Sequence, residues 1–207
     1  MPRVIPLPES EATDKVAQTY ERIRELLEVE AVPGPFLLFG RVPAFLQDFF
    51  MNFKKFVHGE GKLDARTRYV IALAVSASGG SEEWAEFYAE RCRRQGLSSE
   101  QIAEVLAIAS TNYMYNTFFK FRELSGTDIF GGMSVGLRAH TFAGTSWDER
   151  TVELINIAIS DINSCRPCVS GHVEKSRRLG IADEAILETI QCAAVVLAGV
   201  QFVKAAG

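Results

Sequence analysis

The sequence predicts an all-α chain, a duplicated helical hairpin unit set among about eight main helices in one domain, residues 1–207. Three observations predict it. Apolar residues recur at spacings of three and four, without the period-two alternation of strands. Glycine and proline are sparse inside those stretches and fall at their ends. Residues 64–109 align without a gap on 148–193, at an offset of 84.

The elements follow in order. Glu11 to Val29 carries Val16, Tyr20, Ile23, Leu26 and Leu27 on one helical face. Phe45 to Val57 repeats the pattern with Phe45, Phe49, Phe53 and Phe56, a stripe that reads as core. Gly59, Gly96, Gly126 and Gly180 mark helix ends. Ser98-Ser-Glu-Gln101 reads as a capping box opening the next helix. Thr127 to Trp147, rich in Gly and Ser, links the two copies. Cys192 to Val203 is the longest apolar run; interrupted by Gly199 and Gln201, it reads as too short to span a bilayer.

The repeat is supported by 14 identities in 46 pairs, against about three by chance from common residues. Asp64-Ala-Arg-Thr67 matches Asp148-Glu-Arg-Thr151, Ser76 matches Ser160, and Arg93-Arg94-x-Gly96 matches Arg177-Arg178-x-Gly180. Glu100-x-Ile102-x-Glu104 matches Glu184-x-Ile186-x-Glu188. The scaffold is shared and the polar constellation is not. The second copy has Glu153, Cys165, Cys168 and His172 where the first has Tyr69, Ser81, Trp84 and Tyr88. The first copy therefore reads as degenerate and the second as the reactive one.

Composition narrows the function classes. A net charge of −4, with Lys and Arg interleaved among Glu, gives no basic surface for nucleic acid or anionic lipid. Met1-Pro-Arg-Val-Ile-Pro6 leads into a charged helix without an apolar core of an export signal, so the expectation is a cytoplasmic protein whose thiols stay reduced outside a catalytic cycle. Cys92 and Cys192 lie among apolar neighbours and read as small core residues; His58 and His140 read as surface or loop residues.

The string Asn163-Ser-Cys165-Arg-Pro-Cys168-Val-Ser-Gly-His172 carries the chemistry. With Asn163 or Ser164 as N-cap, Cys165 falls in the first helical turn, where free amides and the helix dipole favour a thiolate. Pro167 is tolerated because a first turn donates no hydrogen bond. Cys168 lies within disulfide reach, and His172, four residues on, is placed to take its proton. Glu153, in an apolar run on the preceding helix, would face His172 across an antiparallel hairpin and fix its tautomer. The same three ligand-type residues are also half of a structural zinc site, although no further Cys–His pair completes one.

The pattern Glu153-x11-Cys165-x-x-Cys168-x-x-x-His172, with the Leu179-Gly180-Ile181 turn, resembles the active-site region of alkylhydroperoxidase D, in the carboxymuconolactone decarboxylase-like superfamily. Pro33-Gly-Pro-Phe36 and Val42-Pro-Ala-Phe45 are similar to the opening segment of peroxidase-related members, and Tyr113-Met-Tyr-Asn116 through Gly126 to the helix joining the halves. The resemblance implies reduction of organic hydroperoxides with no bound cofactor or metal. Glu153 and His172 would relay the proton, Cys168 would attack the peroxide, and Cys165 would resolve the sulfenic acid to a disulfide. An external dithiol, lipoamide- or thioredoxin-like, would restore the pair. As the residue nearest the helix start, Cys165 is expected to be the more exposed sulfur and to face that partner. Assembly into homo-oligomers, trimers or hexamers, is implied too, and apolar hairpins with a face to bury point the same way. Pro167 departs from the best-studied members that the sequence resembles, which carry histidine there; a second proton carrier is missing, so turnover is expected to be weaker or differently tuned. An apolar pocket shaped by Phe118, Phe119 or Trp147 would suit an alkyl group. The competing reading is a redox sensor or disulfide carrier, chaperone-like, using the same cysteines; a lactone decarboxylase would lack the pair.

Overall fold

The structure is a computed structural model describing residues 2–207. Its helices are α1 (Asp14–Leu27), α2 (Gly34–Phe39), α3 (Pro43–Phe56), α4 (Ala65–Gly79), α5 (Glu82–Arg94), α6 (Ser99–Leu124), α7 (Glu149–Ile162), α8 (Arg166–Arg178) and α9 (Asp183–Ala206). No strand occurs among the described residues. The sequence reading of about eight main helices is met; the ninth is the six-residue α2, which sequence treats as part of the opening segment.

Each copy of the repeat begins with a helical hairpin, α4–α5 and α7–α8, continued by a long third helix, α6 and α9. α4 and α7 cross at the centre, and each also packs on both long helices. This position explains their composition: Arg68–Ser76 and Thr151–Ser160 are buried without a break, because each helix has neighbours on all sides. Asp64 and Asp148 start them identically, each accepting from the backbone N–H three residues on.

The matched glutamates staple the copies together. Glu188 on α9 accepts from the N–H groups of Lys62 and Leu63 just before α4 and pairs with buried Arg68 at 3.0 Å. Glu104 on α6 accepts from the N–H and Oγ–H of Ser146, just before α7. Each copy thus anchors the start of the other, and the repeated glutamates are explained by their reach rather than by catalysis.

Of the N-terminal helices, α2 and α3 pack on α9, α1 packs on α3, and α2 also covers α5. There Phe36, Phe39, Phe49, Phe53 and Trp84 form an aromatic cluster with centroid separations of 4.8–6.3 Å. Gly199 does not interrupt α9. A Cβ there would lie 2.9 Å from Phe49 and 3.1 Å from Trp84, so glycine is what lets the cluster approach the helix. α9 therefore runs unbroken for 24 residues, and by length and composition it is long and apolar enough to cross a membrane, contrary to the expectation from the shorter run. Here it packs on α2, α3, α4, α7 and α8.

The candidate active site

In α8 the first turn differs from the sequence expectation. Asn163 is the C-cap of α7, Ser164 takes a left-handed φ of 53°, and Cys165 itself is the N-cap. The first copy shows why: Gly80, at φ 75°, and Ser81, the N-cap of α5, occupy the matching places. The turn requires a left-handed residue followed by a cap, and the second copy meets it with Ser164 at some backbone strain. Ser81 accepts a hydrogen bond from the Trp84 N–H; Cys165 makes no such cap.

Cys165 and Cys168 form a disulfide, with Cα atoms 5.3 Å apart. The Cys165 N–H donates to the Ser160 carbonyl, which draws the residue beneath the end of α7. Cys165 is fully buried and Cys168 is 8% exposed, so the expected order of exposure is reversed. The helix-start environment belongs to Cys168, in the first turn of α8.

One side of Cys168 opens on a cavity of about 300 Å³. His172 and Lys175 from α8, Tyr115 and Phe119 from α6, Phe142 from the connecting segment and Pro167 line it with Cys168. Of the three aromatic residues suggested by sequence, only Phe119 contributes. Trp147 donates its Nε1–H to the Gln101 carbonyl under the Arg66 guanidinium, and Phe118 lies beneath Arg122. Phe142 is held near by the Thr111–Thr141 hydroxyl contact at 3.1 Å, and the Tyr115 hydroxyl donates to the Leu137 carbonyl.

Glu153 and His172 meet as the spacing suggests, with Oε2 2.7 Å from Nδ1. A carboxylate can only accept, so Nδ1 carries the proton and Nε2 keeps its lone pair free. Glu153 is 1% exposed. Burial pushes its pKa up, but hydrogen bonds from His172 and Lys175, with their charges, outweigh burial and hold it below the ordinary carboxylate range. Lys175, not singled out from sequence, reaches Glu153 Oε1 at 2.9 Å and Glu149 Oε1 at 2.9 Å. Burial alone would lower its pKa, yet those two bonds raise it. Its signal was the spacing Cys168, His172, Lys175, which is one helix face. Behind the site, Asn112 donates to the Asn156 carbonyl and Ser160 Oγ, and Asn116 to Asn112 Oδ1 and Ser160 Oγ, locking α6 to α7.

The matching place in the first copy is filled. Trp84 and Tyr88 are buried and stacked at 5.6 Å, and Tyr69 bonds His58 Nδ1 at 3.1 Å. A larger cavity of about 490 Å³ does lie on the equivalent face of α5, but neither cysteine nor histidine lines it. Cys92 and Cys192 are fully buried, and burial pushes both thiols up to about 12, as core residues. His58 lies in the loop after α3, half-buried, and His140 is exposed.

Residues 44–115 and 131–207, one stretch around each copy, match the sequence profile of the carboxymuconolactone decarboxylase family. The chain belongs to that family. Among curated relatives, the alkyl hydroperoxide reductase AhpD of Anaeromyxobacter sp. (strain Fw109-5) is 28% identical over 155 residues, 75% of this chain and 83% of that protein. The AhpD of Frankia alni is 28% identical over 179 residues, 86% of this chain and 87% of that one. A crystal structure described as a putative gamma-carboxymuconolactone decarboxylase subunit from Burkholderia xenovorans LB400 superposes with a TM-score of 0.61 at 16% identity, covering 94% of this chain and 98% of that one. That likeness establishes the all-helical fold.

Proposed function

We propose that the protein is a thiol-dependent peroxidase that reduces organic hydroperoxides through Cys168 and Cys165. The observation that carries the proposal is the junction of three features at one cavity: Cys168 on its wall, His172 beside it backed by buried Glu153 at 2.7 Å, and an aromatic lining. The relatives named as alkyl hydroperoxide reductases support it at family level.

In the reduced protein His172 Nε2 takes the Cys168 proton while Glu153 stabilises the imidazolium. The thiolate attacks the outer peroxide oxygen, forming S–O as O–O breaks, and the alkoxide leaves as the alcohol with the His172 proton. The Cys165 thiol then displaces hydroxide from the sulfenic acid, which departs as water, and the disulfide closes. An external dithiol, lipoamide- or thioredoxin-like, attacks the disulfide. Cys168 is the reachable sulfur, so the mixed disulfide forms there, Cys165 leaves as thiolate, and the dithiol's second sulfur releases Cys168. Such a cycle suits the cytoplasm, where dithiol pools are kept reduced. Exposed Tyr113, Met114 and Phe121 on α6 and Leu187 on α9 supply apolar surface for a homo-oligomer, a trimer or hexamer.

Consumption of an alkyl hydroperoxide with excess dithiol tests the reading. Wild type is expected to turn over, and Cys168→Ser to fall to background. If wild type consumes none and yet cycles the Cys165–Cys168 disulfide, the protein is a disulfide carrier or sensor.

A further inference from the structure

Glu153 shares its two oxygens between two cations: Oε2 goes to His172 and Oε1 to Lys175, at 2.7 and 2.9 Å. Lys175 is held in turn by Glu149, one helical turn before Glu153 on α7. The four side chains form a closed set between α7 and α8. The other groups at the cavity are Arg178 from α8, paired with Glu174, and the uncharged Asn112, Tyr115, Phe119 and Phe142 from α6 and the connecting segment. Among the described residues, Lys175 is therefore the one cation that touches the relay without belonging to it.

A proton relay against a buried carboxylate has two ways to fail. The carboxylate can take up a proton and lose its hold on the imidazole, or it can bind the imidazolium so tightly that the imidazole is no longer a base. An ammonium on the second oxygen counters both, because it favours the ionised carboxylate and repels a proton on His172. Resting on the peroxidase reading for its chemistry but on this geometry for its argument, we propose that Lys175 is a positioning residue of the site. Its ammonium holds Glu153 ionised and oriented, and so sets the pH above which His172 draws the proton from Cys168.

The sign follows from electrostatics. Removing a positive charge favours protonation of every neighbour, so the acid limb of Cys168 reactivity moves to higher pH when Lys175 becomes Met. Removing the negative charge of Glu149, whose side chain is 58% exposed, moves it the other way. At the separations here, with the lysine side chain 39% exposed, the expected shift for Lys175→Met is about one pH unit, and for Glu149→Gln about half that.

The measurement is the pH dependence of iodoacetamide alkylation at Cys168 in reduced Cys165→Ser protein, read by peptide mass. Serine already stands at the matching place in the first copy, as Ser81, and the thiols of Cys92 and Cys192 are buried and pushed up to about 12, so the signal is Cys168 alone. Lys175→Met is expected to raise the midpoint, Lys175→Arg to restore it, and Glu149→Gln to lower it. A midpoint unmoved by Lys175→Met, or moved as far by Lys175→Arg, overturns the proposal. Should Lys175→Met not fold, Glu149→Gln decides: an unmoved midpoint overturns it. Failure of the peroxidase reading is separate. Wild type that consumes no hydroperoxide, with the alkylation midpoints still shifting, leaves Lys175 in this role and removes the proposed reaction.

Discussion

Replacing Glu153 by Gln isolates the carboxylate's charge, because the amide has nearly the same volume and leaves no void. The amide must present nitrogen to one of its two partners. If N–H faces His172, Nδ1 must accept, the proton moves to Nε2, and the ring can no longer receive the Cys168 proton. If N–H faces Lys175, two donors oppose each other and the charge that stabilised the imidazolium is gone. At 2.7 Å between Nδ1 and Oε2 the charge centres lie a little farther apart; an effective dielectric near 20 gives about 4 kcal/mol at about 4 Å. The side chains of His172 and Lys175 are 20% and 39% exposed, so solvent screens about half of this. About 2 kcal/mol is about 30-fold in rate, and the lost base adds to it. Glu153→Gln is therefore expected to lower kcat about 100- to 1000-fold, with KM changed less than about threefold because Glu153 does not line the cavity. Glu153→Asp, which keeps the charge, should recover part of the loss. The assay is alkyl hydroperoxide consumption at saturating dithiol, with helicity checked by circular dichroism. A folded Glu153→Gln protein within about threefold of wild-type kcat would refute the relay.

Two further predictions concern the first copy and the loop before it. Burial, then the charges of Arg91 and Arg68, lowers the His58 pKa to about 3, and its Nε2 is buried without a partner. A histidine that resists protonation when folded contributes stability above its unfolded pKa near 6.5, and that stability is lost as pH falls below it, at about 1.4 kcal/mol per pH unit. Glu153, held low, acts in the same direction but only below about pH 4.3. Denaturant titrations should therefore show about 2.5 kcal/mol lost between pH 7 and pH 4.5, and His58→Asn, which keeps an acceptor for Tyr69, should flatten that slope; parallel slopes in the two proteins would discard His58 as the cause. Trp84→Ala, deleting a fully enclosed indole, should cost about 3–5 kcal/mol in the same titration. Trp84→Phe should cost much less, because the buried Trp84 Nε1 has no hydrogen-bond partner to lose; equal losses would contradict the packing role.

Where sequence and structure agree, the cause is local and periodic. The capping box at Ser98 and Gln101 is present as both of its hydrogen bonds. Glu153 and His172 face each other because hairpin closure and one helical turn dictate it. Disagreement arises where tertiary contacts decide. α2 is flanked by Pro33 and contains Pro35, and its six residues are helical because Phe36 and Phe39 are buried in the aromatic cluster. At the start of α8 capping propensity favours Asn163 and Ser164, whereas the repeat aligns Cys165 with the cap Ser81 and Ser164 with the left-handed Gly80, and the tertiary arrangement follows the repeat. Burial of Cys165 under α7, and the approach of Phe142 through a segment without periodicity, leave no mark in residue spacing.

The asymmetry between the copies follows from what covers each hairpin. In the first, α2 lies on α5, so the positions facing the hairpin interior pack as aromatic core; Trp84 and Tyr88 give up hydrogen bonds to do so, leaving Nε1 and Oη unpaired. In the second, α8 is met by α6 and by the irregular connection, and the cavity there reaches the matching positions, Cys168 and His172. Only the second environment tolerates an ionised, buried glutamate, because Lys175 and His172 reach it from the cavity edge with part of each side chain in water. A Glu at Tyr69 would face His58, whose free nitrogen is buried, and no lysine, since Arg91, matching Lys175, donates to the Leu27 carbonyl instead. The reactive set therefore belongs to the copy whose cavity reaches the hairpin interior at Cys168 and His172; in the other copy the cavity beside α2 stops short of Trp84 and Tyr88, which pack as core.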